Sequence, residues 1–191
     1  MSFRIGGSLL AAALALGACS SSPLRTYVLG AERSDRVATE AWVGAVTPAL
    51  LLRRVTVPRY LDTTDLVVRL SPGETAASAG GRWAERLSDG VTRALATALE
   101  RRVGTGQVLR LDDAVADAAA APRELLVDLH TFECTLSDGT CRLEARWLVG
   151  TRRSLRLEPT RVCHGTWIEA GGATNEHYVA ALARLLDRLA E

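Results

Sequence analysis

Apolar and polar positions alternate along this chain with two different periods. Residues 82–103 carry Trp83, Leu87, Val91, Ala94, Leu95 and Ala98 at helical spacing, with Glu85, Arg86, Asp89, Arg93 and Glu100 on the opposite face. This predicts a helix over 82–103, stopped by Gly104 and Gly106. Residues 175–190 repeat the pattern with Tyr178, Val179, Leu182, Leu185, Leu186 and Leu189, and Thr174 or Asn175 stands where a cap is needed. Elsewhere the period is two. Residues 123–134 point Leu125, Val127 and Leu129 one way and Leu126, His130 and Phe132 the other. Ser137-Asp138-Gly139 reads as a turn, and 142–149 returns as the partner strand. Further strands are expected over 25–30, 50–57, 65–70, 107–111 and 161–169, with loops over 32–40 and 71–81. Two amphipathic helices on a mainly antiparallel or mixed sheet make an α+β fold in one domain.

The first residues follow neither period. Residues 1–4 hold one positive charge, and 5–17 (IGGSLLAAALALG) are apolar or small. That is the layout of a secretory signal peptide. The run is too short for a membrane-spanning helix, which needs roughly 20 residues. Leu16-Gly17-Ala18-Cys19 resembles the bacterial lipobox, in which the cysteine is acylated and the chain is cut before it. An ordinary signal peptide, leaving Cys19 a free thiol, is the alternative. Residues 1–18 are thus expected to be the signal, 19–24 an acylated cysteine and short tether (SSSPL after Cys19), and 25–191 the periplasmic domain. By resemblance to sorting in Gram-negative lipoproteins, Ser20 rather than aspartate after Cys19 implies export to the outer membrane.

Composition adds little chemistry. The formal net charge of the 191 residues is +1, so no strong field for nucleic acid is expected. Every basic side chain other than histidine is arginine. Residues 112–121 (DDAVADAAAA) are of low complexity and read as a short helix or loop.

The segment 57–70 (VPRYLDTTDLVVRL) is a strand, a corner and a strand. Pro58 ends the first strand because it cannot donate to a ladder. Tyr60 and Leu61 then pack, Asp62 bonds turn amides, and the next strand carries Arg69. A well-packed structural unit explains these residues on their own.

Val57-Pro58-Arg59-Tyr60-Leu61-Asp62, an apolar strand with Arg69, then Trp83-Ala84-Glu85-Arg86-Leu87 together resemble the ABC-type transport auxiliary lipoprotein family. The lipobox, Tyr27-Val28-Leu29 after the tether and the closing helix fall in the family's order, over nearly the whole mature chain. Thr63 departs from it, since many relatives carry arginine there. The resemblance implies no catalysis and no cofactor. It implies an outer-membrane lipoprotein facing the periplasm, held in the lipid of that membrane by its acyl anchor. Its expected partner is an MCE-domain (mammalian cell entry) protein that carries lipid between membranes, and a homo-oligomeric ring is a further expectation. The motif residues Tyr27, Pro58, Tyr60, Leu61, Asp62, Arg69, Trp83 and Glu85 are then structural or interface positions.

An enzyme would need a recognisable constellation of reactive residues. His130, His164 and His177 sit in no nucleophile-elbow, zincin or P-loop pattern. Cys134, Cys141, Cys163 and His164 lack paired C-x-x-C spacing for zinc, and the periplasm oxidises thiols. Cys134 and Cys141 flank a turn on adjacent strands and are candidates for a disulfide, with Cys163 left free or replacing one of them. Three reduced core cysteines remain the alternative. Besides the transport reading, a structural or assembly lipoprotein of another envelope complex fits the same residues.

Overall fold

The computed structural model describes residues 23–30, 50–104, 107–110, 123–153 and 156–191. The elements are β1 (Arg25–Tyr27), β2 (Leu50–Leu52), β3 (Asp65–Ser71), β4 (Glu74–Trp83), α1 (Leu87–Val103), β5 (Val108–Arg110), β6 (Arg123–Thr135), β7 (Thr140–Arg153), β8 (Arg156–Ala170) and α2 (Asn175–Leu189). The expected signal, Cys19, the loop at 32–40, Gly106, Leu111 and the segment 112–121 lie outside the described residues.

All eight strands join one mixed sheet, and both helices pack on it. Strand β6 is its spine. Its first residues pair in parallel with β2, whose other neighbour is β5. Its last residues pair in parallel with β3, which leads through β4 to β1. The other edge of β6 carries the long antiparallel β7–β8 hairpin. Helix α2 lays Tyr178, Val179, Leu182, Leu185 and Leu186 on the sheet, and Thr174 caps it by accepting from the His177 amide at 3.4 Å. Helix α1 buries Leu87, Val91, Ala94, Leu95 and Ala98 beside it. The turn after Asp138 uses Gly139 at φ 63°.

Four expectations are corrected. Residues 71–81 are mostly strand, not loop. Ala76, Ala77 and Thr75 pair with β3, and Gly81 and Arg82 pair with β1. Its small residues serve close approach: a Cβ at Gly81 would lie 2.5 Å from Asn175 Nδ2 and 2.8 Å from a Tyr27 ring carbon. Helix α1 begins at Leu87 rather than Arg82, so Trp83 closes β4 and Glu85 precedes the helix. The expected strand 50–57 breaks after Leu52, because the Val55 amide donates to Thr92 Oγ1 of α1 at 2.9 Å instead of to the sheet. Thr56 rejoins through a single parallel bridge to Asp128. Finally, β6 shifts register between Leu129 and Thr131. That bulge at His130 reverses the alternation, so Phe132 and Cys134 share the buried side with Leu125, Val127 and Leu129.

Candidate functional site

The corner after β2 is built by hydrogen bonds to one carbonyl. Pro58 O accepts from the amides of Leu61 and Asp62 at 2.9 and 3.1 Å. The tight turn buries Leu61 and leaves Tyr60 46% exposed. The Asp62 carboxylate does not bond its own turn. Its Oδ1 accepts from the Ser88 amide at 3.2 Å, and its Oδ2 pairs with Arg86 at 3.3 Å. Asp62 therefore caps α1 from outside the helix, since Arg86 at the cap position offers no side-chain capping bond to the helix amides. Burial alone raises the Asp62 pKa; the bond from Ser88 and the charges of Arg86 and Arg54 outweigh it and hold the carboxyl below its ordinary value.

Tyr60 and Arg69 meet on a residue that the sequence pattern did not single out. Glu133 of β6 is 5% exposed. Tyr60 donates its hydroxyl hydrogen to Glu133 Oε2 at 3.1 Å, and Arg69 Nε donates to Oε1 at 2.5 Å. Arg69 also donates to the Tyr60 oxygen at 3.3 Å. Burial, then the neighbouring Glu133 charge, pushes the Tyr60 phenol up. A buried carboxylate without such partners would be strongly destabilising, so the three side chains fix one another. An acidic residue within an apolar, alternating strand was the signal that could have found it.

Glu124, at the other end of β6, is handled the same way. It is 3% exposed and takes two bonds from Arg152 and one from Arg53 at 3.3 Å. The Arg152 bonds, against opposing burial, lower its pKa. Asp62 and Glu124 both have depressed pKa values, so the unfolded chain binds more protons than the folded one in the acid range. Stability is therefore fully present above the ordinary carboxylate range, near pH 4, and falls as pH drops below it. Thermal melts against pH should show this fall in the wild type and a shallower one in Glu124→Gln.

The chain enters beside α2. Tyr27 donates its hydroxyl hydrogen to Glu176 Oε1 at 2.9 Å, and Arg25 forms an ion pair with the same carboxylate. Together with its own amide, the Tyr27 and Thr174 hydroxyls and Arg25 bring the Glu176 carboxyl down to about 2. An open groove of about 520 Å³ lies here, lined by Pro23, Arg25, Tyr27, Leu136, Asn175 and Glu176 among others. Trp83, the cross-strand partner of Tyr27, is 5% exposed. Glu85 pairs with Arg93 at 2.7 Å, and Arg93 also donates to Leu29 O at 3.3 Å.

The motif thus forms two connected parts, the Pro58–Arg69 corner and the Tyr27–Trp83 seam, rather than one cleft. A disulfide joins Cys134 to Cys141 across the β6–β7 turn, and Cys163 is free and half-buried on β8. His130, His164 and His177 are exposed on three different elements. Among the described residues no three side chains of metal-binding type gather. No described helix is long and apolar enough to cross a membrane.

The family model for the ABC-type transport auxiliary lipoprotein component matches residues 27–191. The chain belongs to that family. Within the auxiliary lipoprotein family, the Tyr27 seam opens the matched region and α2 closes it. Two solved structures share the fold. One, a protein from Xanthomonas campestris, is 19% identical with a TM-score of 0.64, covering 87% of this chain and 90% of its own. The other, described only as an uncharacterized protein, is 17% identical with a TM-score of 0.62, covering 86% and 92%. No curated protein matches the sequence significantly.

Proposed function

We propose that this auxiliary lipoprotein is anchored in the outer membrane through acylated Cys19 and faces the periplasm. There it docks an MCE-domain partner that carries lipid between the membranes, and it catalyses nothing itself. The observation that carries the reading is the match of residues 27–191 to an auxiliary lipoprotein component of ABC-type transport. Three further features support it. The lipobox ends at Cys19, and Ser20 follows it. The Cys134–Cys141 bridge suits an oxidising compartment. Tyr60 stands exposed on a corner held by Asp62 and Glu133, which suits a preformed contact surface more than a reacting centre.

Reach decides the geometry of such a system. Residues 20–24 span at most about 3.4 Å each. An inner-membrane partner must therefore come to this domain, and lipid must travel in or along that partner. The test is co-purification of the detergent-solubilised lipoprotein with the periplasmic part of an MCE protein from the same genome, followed by native mass spectrometry. We expect a stable complex and an oligomer of the lipoprotein alone. A chain that stays monomeric and ignores every such partner would overturn the transport reading and leave a structural envelope role.

A further inference from the structure

Exposed leucines gather at the end of the domain where the chain enters. Leu24 is 56% exposed, Leu136 47% and Leu70 37%. Two of them extend buried rows. Strand β3 buries Leu66 and Val68, and Leu70 stands two residues further on. Strand β6 buries Phe132 and Cys134, and Leu136 stands two residues beyond Cys134. Val68 pairs in parallel with Cys134 and Arg69 with Thr135, and the Leu136 amide donates to Arg69 O at 2.9 Å. The apolar side of the sheet therefore runs out to solvent at two neighbouring positions, Leu70 and Leu136. Leu136 also lines the open groove of about 520 Å³ with Pro23, Arg25 and the start of α2, and Leu24 stands between Pro23 and Arg25.

We propose that this end of the domain is seated in the lipid surface of the membrane that holds it, with Leu24, Leu70 and Leu136 entering the headgroup layer. The proposal rests on the reading of Cys19 as the anchor, and it adds which face of the domain meets the bilayer. Tether length selects this occupant. From Cys19 to Pro23 is four residue steps, at most about 14 Å when fully extended. Acyl chains on Cys19 begin at the edge of the hydrocarbon, and the headgroup layer extends roughly 5–8 Å beyond that edge. Pro23 is thus held in or just outside the headgroups whatever path the tether takes. Interfacial contacts bury apolar side chains about 5–10 Å deep, which is within this reach. The anchor also presents the leucines to lipid at a high effective concentration, so a weak apolar contact suffices.

Charge plays little part. Arg25 pairs with Glu176, Glu74 accepts from the Ser71 hydroxyl at 3.1 Å, and Asp138 accepts from the Thr140 amide and hydroxyl at 3.0 and 2.8 Å. Cations and carboxylates are both present and held by neighbours, so apolar side chains make the contact rather than attraction to anionic lipid. Helix α2 sets the distance to the opposite end. Its start lines the groove, and Asp187 near its other end accepts from Arg101 and Arg102 of α1. Its 15 residues, at about 1.5 Å each, separate the groove by about 22 Å from the end of α1, where Val103 is exposed.

The experiment uses the full-length acylated lipoprotein, in a Cys163→Ser background, reconstituted into vesicles of phosphatidylethanolamine and phosphatidylglycerol. A fluorescent thiol label is introduced through Pro72→Cys, exposed in the turn between β3 and β4, or through Val103→Cys as the control. The vesicles contain a lipid with a nitroxide close to its headgroup, which quenches only labels that reach the interface. The expected result is loss of most of the fluorescence at position 72 and no loss at position 103. Flotation with the vesicles reads the anchor separately. A protein that floats but is not quenched at position 72, or is quenched equally at both positions, overturns the seat and leaves the anchor standing. A protein that does not float overturns the anchor and the seat with it. The Leu70→Asp/Leu136→Asp double variant supplies the second arm. Both positions are exposed, so it should melt like the wild type and still float, while the label at position 72 regains its fluorescence. Quenching that persists in this variant would overturn the proposal.

Discussion

Trp83→Ala should lower the melting temperature by about 6 to 20 °C. Trp83 is 5% exposed at the end of β4, packed in the core that both helices share with the sheet. Truncating a large buried aromatic costs about 3–5 kcal/mol, and each kcal/mol moves the melt by about 2–4 °C at this size. Typical domains have roughly 5–15 kcal/mol in total, so this one side chain carries a large share. Its backbone bond to Thr64 O, at 2.7 Å, survives the substitution. The loss should therefore appear as a cavity effect without strand rearrangement, with far-ultraviolet dichroism unchanged below the melt. Asp62→Ala makes the useful contrast. It removes a cap worth about 0.5–2 kcal/mol and leaves the core intact. A Trp83→Ala protein that melts like the wild type yet loses its partner would make Trp83 an interface residue and overturn the core assignment.

The two helices differ in how far the sequence revealed them, and the reason is physical. In α2 the stripe from Tyr178 to Leu186 is long, the cap is a threonine, and no strand competes for the segment. In α1 the stripe was equally clear from Leu87 onward, but Trp83 falls one helical turn earlier and extends the pattern falsely. It is buried because β4 ends under the helices, and an i, i+4 spacing cannot distinguish that from a helical position. Strand β4 escaped notice for the opposite reason. Residues 74–81 have neither alternating apolar side chains nor bulk, and the ladders with β3 and β1 make them a strand. Gly81 then looks like a turn residue when its function is to let Asn175 and Tyr27 come close.

The site was legible by half. Tyr60, Asp62 and Arg69 stood out in sequence, but what they bind did not. Asp62 reaches across 26 positions to the Ser88 amide, and Tyr60 and Arg69 converge on Glu133, far along the chain. Such partners depend on sheet order, and the parallel pairing of β3 with β6 is not written in local pattern. The bulge at His130 adds a second hidden step. It moves Phe132 and Cys134 to the core side, opposite the side that simple alternation gives Phe132.

Cys19→Ser should abolish acylation and leave an uncleaved or mislocalised precursor, an all-or-none effect on where the protein resides. The cysteine ends the apolar run of the expected signal and lies only a few residues before Pro23, where the described chain begins. No other thiol stands at a signal of this kind. Cys134 and Cys141 are joined to each other, and Cys163 is half-buried within β8. The size of the effect follows from the anchor itself. At about 0.8 kcal/mol per buried CH₂, one acyl chain holds a protein only marginally, whereas several together hold it stably. Serine at position 19 offers no sulfur to acylate, so the chain keeps either its signal segment or no anchor at all. Radiolabelled palmitate and membrane fractionation give the readout. The wild type should take up label and require detergent for release, and the mutant should take up none. Label entering the mutant, or wild-type protein recovered without detergent, would overturn the assignment of Cys19 as the point where this domain is tied to its membrane.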